Sequence, residues 1–157
     1  MNKTVKLAVS VLICLAAGFI GSSFTTPSIA TWYAQLQKPV FNPPNWIFAP
    51  VWTMLYLLMA IAAYLIWETG LVKKDARIAL SIFALQLALN SLWSIIFFGW
   101  HSIPFAFVEI LILWLAIVAT IVLFNRISRT AAYLMAPYIL WVSFAAVLNF
   151  SLMLLNR

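Results

Sequence analysis

Conventional catalysis has little to work with in this sequence. Its acids are Glu68, Asp75 and Glu109, its histidine is His101 and its cysteine is Cys14, and His101 has no carboxylate close to it in the chain. Such scatter offers neither a nucleophile beside a base nor a set of metal ligands, so hydrolytic and metal-dependent chemistry are not expected. A single cysteine also excludes a disulfide within the chain. The spacings that suggest a site belong to aromatic and amide side chains. Gln86, Asn90, Trp93 and Phe97 follow at steps of four, three and four, which sets them on one face of a helix. Trp52 and Tyr56 lie one turn apart, and Trp141, Ala145, Leu148 and Ser151 or Leu152 share a third face with a small residue beside a large ring. Aromatic walls with a few amides to fix orientation suit a planar hydrophobic ligand. The competing readings are interhelical hydrogen bonding for Gln86 and Asn90, and lipid-facing rings for Trp52 and Trp141.

The elements that carry these faces are set by composition. Of the 157 residues 66% are hydrophobic and 8% charged, against about 45–50% and about 25% in soluble domains. Apolar stretches at 5–24, 46–67, 76–98, 104–124 and 131–155 each reach the ~20 residues that cross a bilayer as a helix. The expected fold is therefore all-α, a single domain over 1–157 built as a bundle of five transmembrane helices in a lipid bilayer. The net charge of +6 is not read as nucleic-acid binding, because Lys3, Lys6, Lys73, Lys74, Arg77, Arg126 and Arg129 fall on one side of the spans and only Lys38 and Arg157 on the other. By the positive-inside rule the N-terminus is cytoplasmic and the C-terminus outside. A signal-peptide reading of the first 30 residues, with Ser28-Ile29-Ala30 as cleavage site, fails on the length of the apolar run. At membrane depth the polar groups Gln86, Asn90, Glu109 and Asn149 are expected to face the bundle interior, with Glu109 reaching the interface or pairing with Trp or Tyr donors. Small residues at Ala84 and Ala88, Ala17 and Gly21, and Gly18 and Ser22 offer contacts for a homodimer.

The first loop is unlike a linker. Between residues 27 and 50 stand five of the seven prolines, Pro27, Pro39, Pro43, Pro44 and Pro50, with Trp32, Tyr33, Phe41, Trp46 and Phe48. Proline stiffens the segment, so residues 27–45 are expected to form a lid over the outer mouth of the bundle, the alternative being an interfacial aromatic belt. The runs Trp32-Tyr33-Ala34-Gln35-Leu36-Gln37-Lys38-Pro39 and Phe41-Asn42-Pro43-Pro44-Asn45-Trp46-Ile47-Phe48-Ala49-Pro50-Val51-Trp52-Thr53-Met54-Leu55-Tyr56 closely resemble the signature of the translocator protein (TspO/MBR) family, also called tryptophan-rich sensory proteins or peripheral-type benzodiazepine receptors. Leu89-Asn90-Ser91-Leu92-Trp93, Phe97-Phe98-Gly99, Pro137-Tyr138-Ile139-Leu140-Trp141 and Leu148-Asn149-Phe150 are similar to the family's third and fifth helices, so the resemblance covers essentially the whole chain.

The resemblance implies a bacterial plasma-membrane receptor for porphyrins such as protoporphyrin IX and for isoquinoline-type molecules. It implies ligand contacts from Tyr33 and Pro43 in the lid and from Trp52, Asn90, Trp141 and Ala145, and the expected site is completed by Ser22, Ile47, Trp93, Phe144 and Leu148. No tightly bound cofactor is expected; a porphyrin is ligand or substrate. Because a porphyrin is a photosensitiser, Trp52 and Trp141 are the candidates for light-dependent oxidative breakdown of the ligand, an activity the resemblance extends from bacterial members. The alternative is a tetrapyrrole transporter, or a sensor or scaffold acting through partners; an active secondary transporter is disfavoured by the lack of internal repeats and of paired carboxylates. Sterol binding is not expected, since Phe150 stands where the cholesterol-recognition pattern of some animal members has tyrosine, and Arg157 lies too far beyond it.

Overall fold

The computed structural model describes residues 2–157. Among them five helical segments are long and apolar enough to cross a membrane: Lys3–Ile29, Asn45–Glu68, Lys74–Gly99, Ile103–Ile127 and Arg129–Leu155, of 24 to 27 residues. At ~1.5 Å per residue each is longer than the ~30 Å hydrocarbon layer. The chain is an all-α integral membrane protein. Its elements are α1 (Lys3–Ile29), a short α2 (Trp32–Gln35), a 3₁₀ turn Asn45–Ile47 leading into α3 (Phe48–Glu68), α4 (Lys74–Ser94) prolonged by a π-helical turn Ile95–Gly99, α5 (Ile103–Ile127), α6 (Arg129–Leu134) and α7 (Ala136–Leu155).

Two boundaries differ from those expected. Helix α1 runs past residue 24 to Ile29 and so contains Pro27, which had been placed in the loop. The ring removes one hydrogen bond in the last turn, and hydroxyls secure that end instead: Ser28 Oγ donates to the Phe98 carbonyl at 2.8 Å and Thr31 Oγ1 to the Pro27 carbonyl at 2.8 Å. The last span is broken at Met135 into α6 and α7, with Pro137 in the first turn of α7, where its missing N–H costs nothing.

One end of the bundle is packed solid. Leu55, Met59, Ala60, Ile66, Ala79, Ile117 and Phe124 are fully or almost fully buried there, Phe83 stacks on Phe124 at 5.8 Å, and the alanines let backbones approach closely. Glu68 at the end of α3 receives Lys6 Nζ at 2.9 Å and Lys3 Nζ at 3.7 Å, which ties the start of α1 to the end of α3. At the other end a second cluster gathers Tyr33, Ile96, Phe97, Phe98, Leu148 and Leu152 beneath the first loop. Leu12, Phe19, Phe105, Leu115, Leu140 and Val147 lie exposed on the outside of the bundle, where the solvent is lipid.

The small residues of α1 work within the chain. A Cβ on Gly18 would stand 2.6 Å from the Tyr56 ring, one on Gly21 would stand 3.1 Å from Ser94 Oγ, and the Ala17 carbonyl accepts from Ser91 Oγ at 3.0 Å. Gly18 and Gly21 therefore serve close packing against α3 and α4 rather than a second copy, whereas Ala84 and Ala88 remain exposed.

Candidate ligand cavity

Polar groups buried at membrane depth must find one another, and four of them do. The Tyr56 hydroxyl donates to Asn90 Oδ1. Asn90 Nδ2 donates to the Tyr138 hydroxyl at 3.0 Å, and that hydroxyl donates to Gln86 Oε1 at 2.9 Å. With Gln86 0% and Asn90 3% exposed, this chain links α3, α4 and α7, so the interhelical reading of the two amides holds. A second link does the same nearer the lid: Asn149 accepts from Trp93 Nε1 at 3.1 Å and donates to the Ile103 carbonyl at 3.1 Å. Glu109 does not behave as expected. It is 6% exposed, and neither carboxylate oxygen has a hydrogen-bond partner among the described residues. The tryptophan nearest the expectation, Trp114, turns instead to Ser143 Oγ at 2.8 Å.

Above this network, toward the lid, the bundle is hollow. A cavity of ≈ 340 Å³ lies between α1, α3, α4 and α7, within the range of about 300–1,000 Å³ of small-molecule sites. Its rings include Trp52, Tyr56, Trp93, Phe97 and Trp141, with Ala145 leaving the notch beside Trp141 that the spacing predicts. Trp52 lies 5.7 Å from Tyr56 and 6.3 Å from Tyr138, so the wall that faces the cavity rests on the hydrogen-bonded tyrosines. Asn90 is at the junction: it lines the cavity while both ends of its amide are held.

The first loop closes this end. Tyr33 is buried and donates to Asn42 Oδ1 at 2.7 Å, while Asn42 Nδ2 donates to the Pro43 carbonyl at 3.1 Å. Burial pushes the Tyr33 phenol up to about 12, against the lowering effect of the Asn42 hydrogen bond, so it remains a donor at neutral pH. Gln37 is clipped to the end of α7 by two bonds, its N–H to Asn156 Oδ1 at 2.9 Å and Asn156 Nδ2 to its carbonyl at 2.9 Å. Trp32 stacks on His101 at 4.4 Å and meets the edge of Phe97 at 5.4 Å. His101 is held at φ 54°, a left-handed backbone, between α4 and α5. Trp46 by contrast is 74% exposed and suits the interfacial belt.

Of the residues expected at the site, Ser22, Tyr33, Trp52, Asn90, Trp93, Trp141, Ala145 and Leu148 line the cavity. Pro43, Ile47 and Phe144 stand behind the lining: Pro43 is tied to Tyr33 through Asn42, Ile47 closes the 3₁₀ turn, and Phe144 packs on Trp141 at 5.6 Å and on Phe41 at 6.2 Å. On α1 and the start of α3 the sequence reading found only Ser22 and Trp52 and missed Gly18, Thr25, Thr26, Ala49 and Thr53, which also line the cavity. A signal existed, since Gly18, Gly21, Ser22, Thr25 and Ile29 repeat at helical spacing.

A helical membrane bundle with an aromatic cavity beneath a proline-rich loop is the class of protein that fold and site define. The TspO/MBR family description matches residues 10–155. The chain is 44% identical to the tryptophan-rich protein TspO of Chlorobaculum tepidum over 99% of both chains, and 47% identical to that of Archaeoglobus fulgidus over 96% of this chain and 97% of the other. It is also 41% identical to the translocator protein of Homo sapiens, over 84% of this chain and 79% of the human one. The chain belongs to the TspO/MBR family.

Proposed function

We propose that the protein is a membrane receptor for porphyrin-like planar hydrophobic molecules, protoporphyrin IX among them, bound in the cavity between α1, α3, α4 and α7. The observation that carries this reading is that Trp52 and Trp141 line one cavity together with Asn90, whose amide is held at both ends by Tyr56 and Tyr138. Rings supply dispersion and stacking to a flat ligand, and an amide already oriented by its neighbours loses little freedom on binding. Isoquinoline-type molecules suit the same walls. Electron-rich indoles beside a light-absorbing substrate also support photo-oxidation of that substrate: an electron passed from Trp52 or Trp141 to the excited ligand goes on to dioxygen, and the indole radical recovers an electron from the ligand, so that the ligand is oxidised, dioxygen is reduced and the protein is unchanged.

Tryptophan fluorescence of the wild type, Trp52→Phe and Trp141→Phe, titrated with protoporphyrin in the dark, tests binding. Saturable quenching weakened by either substitution is expected; identical, unsaturable quenching in all three contradicts the site. Absorption spectra under light then separate turnover from carriage or sensing: a new chromophore that requires Trp141 means chemistry, and an unchanged ligand means a transporter or sensor.

The seven-to-two division of basic residues supports a cytoplasmic N-terminus and an outer C-terminus in a bacterial plasma membrane. A periplasmic reporter fused after Arg157 is then active, and its silence reverses the orientation. Exposed Ala84 and Ala88, one turn apart on α4, support a homodimer through that face; a monomer mass in every mild detergent and in nanodiscs contradicts it.

A further inference from the structure

Helix α1 meets its neighbours in two different ways. Against α4 it stays in contact along the lid half: Gly21 at Ser94, Ser28 Oγ on the Phe98 carbonyl, and Phe24 so close to Gly99 that a Cβ there would lie 2.9 Å from the ring. Against α3 it is closest at Gly18, where a Cβ would lie 2.6 Å from the Tyr56 ring. From Gly18 toward the lid, residues that line the cavity are also exposed: Phe19, Ser22 and Thr26 on α1, Ala49 and Thr53 on α3. A residue that lines an internal space and is exposed at the lipid-facing girth marks an opening in the wall. The lid, meanwhile, is secured at Asn156 and at His101.

We infer that the cavity is filled sideways, from the hydrocarbon layer, through a window between the lid halves of α1 and α3, with Gly18 and Tyr56 at its base and Phe19, Thr26, Ala49 and Thr53 at its sides. The chemistry of the frame fits this route. The Thr53 hydroxyl donates to the Ala49 carbonyl of its own helix at 2.9 Å, and Thr25 beside the frame does the same to Gly21 at 3.0 Å. These two hydroxyls keep no unmet donor for lipid or ligand, and the Thr26 hydroxyl makes no hydrogen bond among the described residues, so an apolar molecule passes without breaking one. No Lys, Arg, Asp or Glu lines the cavity or the window among the described residues. The route therefore selects molecules that partition into the bilayer, and any carboxylate they carry is left toward the headgroup level rather than drawn inside.

This inference rests on the cavity being the binding site, so its test has one arm that needs no porphyrin. The full chain is reconstituted in vesicles whose phospholipids carry bromine on the acyl chains, and wild type is compared with Trp52→Phe and with the doubly substituted Thr26→Leu/Ala49→Leu protein. Bromine is expected to quench the Trp52 component of the fluorescence in the open protein and to lose that quenching when leucines fill the window. A Trp52 component that bromine never reaches means a sealed wall and overturns the inference, whatever porphyrin does. In the second arm, protoporphyrin preloaded in the vesicle membrane is mixed with protein in stopped flow. The double substitution is expected to slow association roughly tenfold and to slow dissociation with it, because a narrowed passage raises the barrier in both directions. Unchanged rates, or rates that respond instead to releasing the lid with Asn156→Ala, overturn the lateral route. Absence of porphyrin binding to the wild type contradicts the proposed function and leaves the bromine result to decide whether the window is open.

Discussion

The two halves of the bundle are built from different kinds of residue and are held together in different ways. Near the Glu68 end, alanines and aliphatics fill the interior and Phe83 stacks on Phe124 without a gap. Near the lid, tryptophans and tyrosines stand around an open space, and polar groups hold them in place. The boundary between the halves is the level of Gly18, Tyr56 and Asn90. Large rings do not pack as densely against one another as alanine against leucine, so an aromatic-rich half remains hollow only if something other than packing fixes each ring. Here Tyr56 is fixed by Asn90, Trp93 by Asn149, and Trp141 by its contacts with Phe144 and Phe48. Stability in the solid half is mainly a matter of volume; in the hollow half it is mainly one of hydrogen bonds and ring position.

Substitutions at the boundary should break this difference most severely. Gly18→Leu drives a side chain into the Tyr56 ring, which cannot swing away without abandoning Asn90; overpacking of this kind costs about 1–3 kcal/mol and the lost hydrogen bond adds to it. Denaturation in mixed micelles should show the largest loss of any single change, together with loss of ligand binding. Asn90→Ala follows. It leaves the Tyr56 hydroxyl without its acceptor and the Tyr138 hydroxyl without its donor, at a cost of about 1–3 kcal/mol for buried polar groups left unpaired. Tyr138→Phe leaves Asn90 Nδ2 and Gln86 Oε1 without those partners and should cost a similar amount, about 1–3 kcal/mol. An Asn90→Ala protein as stable as the wild type would show that the network is not what holds the hollow half.

The lid gives a smaller effect. Asn156→Ala removes both bonds to the Gln37 backbone, which are exposed to water, so hydrogen exchange across residues 30–45 should accelerate while the melting temperature scarcely moves. Exchange unchanged in that segment would mean that Trp32 on His101 secures the loop alone. Smallest of all is Glu68→Gln at the solid end: its ion pairs with Lys3 and Lys6 lie at the surface, and stability should be indistinguishable from wild type at high salt.

Much of the hollow half was legible in the sequence, because its features repeat along single helices. The four-three-four spacing of Gln86, Asn90, Trp93 and Phe97 placed them on one inner face, and Trp141 with Ala145 marked a notch; all but Gln86 line the cavity, and Gln86 lies below it in the network. What the sequence withheld lies between helices. The partner of Gly18 is a ring 38 positions away, so the same small-residue pattern reads equally well as packing within the chain or between two chains. The end of α1 was misjudged because Pro27 signals a break, whereas the Ser28 and Thr31 hydroxyls allow the helix to continue through it. Glu109 was expected to reach the interface or to pair with a Trp or Tyr donor, and only three-dimensional placement reveals that it is buried and has no partner among the described residues.

The most direct test of the account is calorimetric binding of protoporphyrin, in the dark, to nanodisc-embedded wild type and Ala145→Phe. A phenyl ring at position 145 fills the notch beside Trp141 without touching the Tyr56–Asn90–Tyr138 network. Affinity should fall by roughly tenfold or more, a loss of ~1.4 kcal/mol, with the melting temperature of the unliganded protein unchanged. Equal affinity in the two proteins would contradict the central claim and move the ligand out of this cavity.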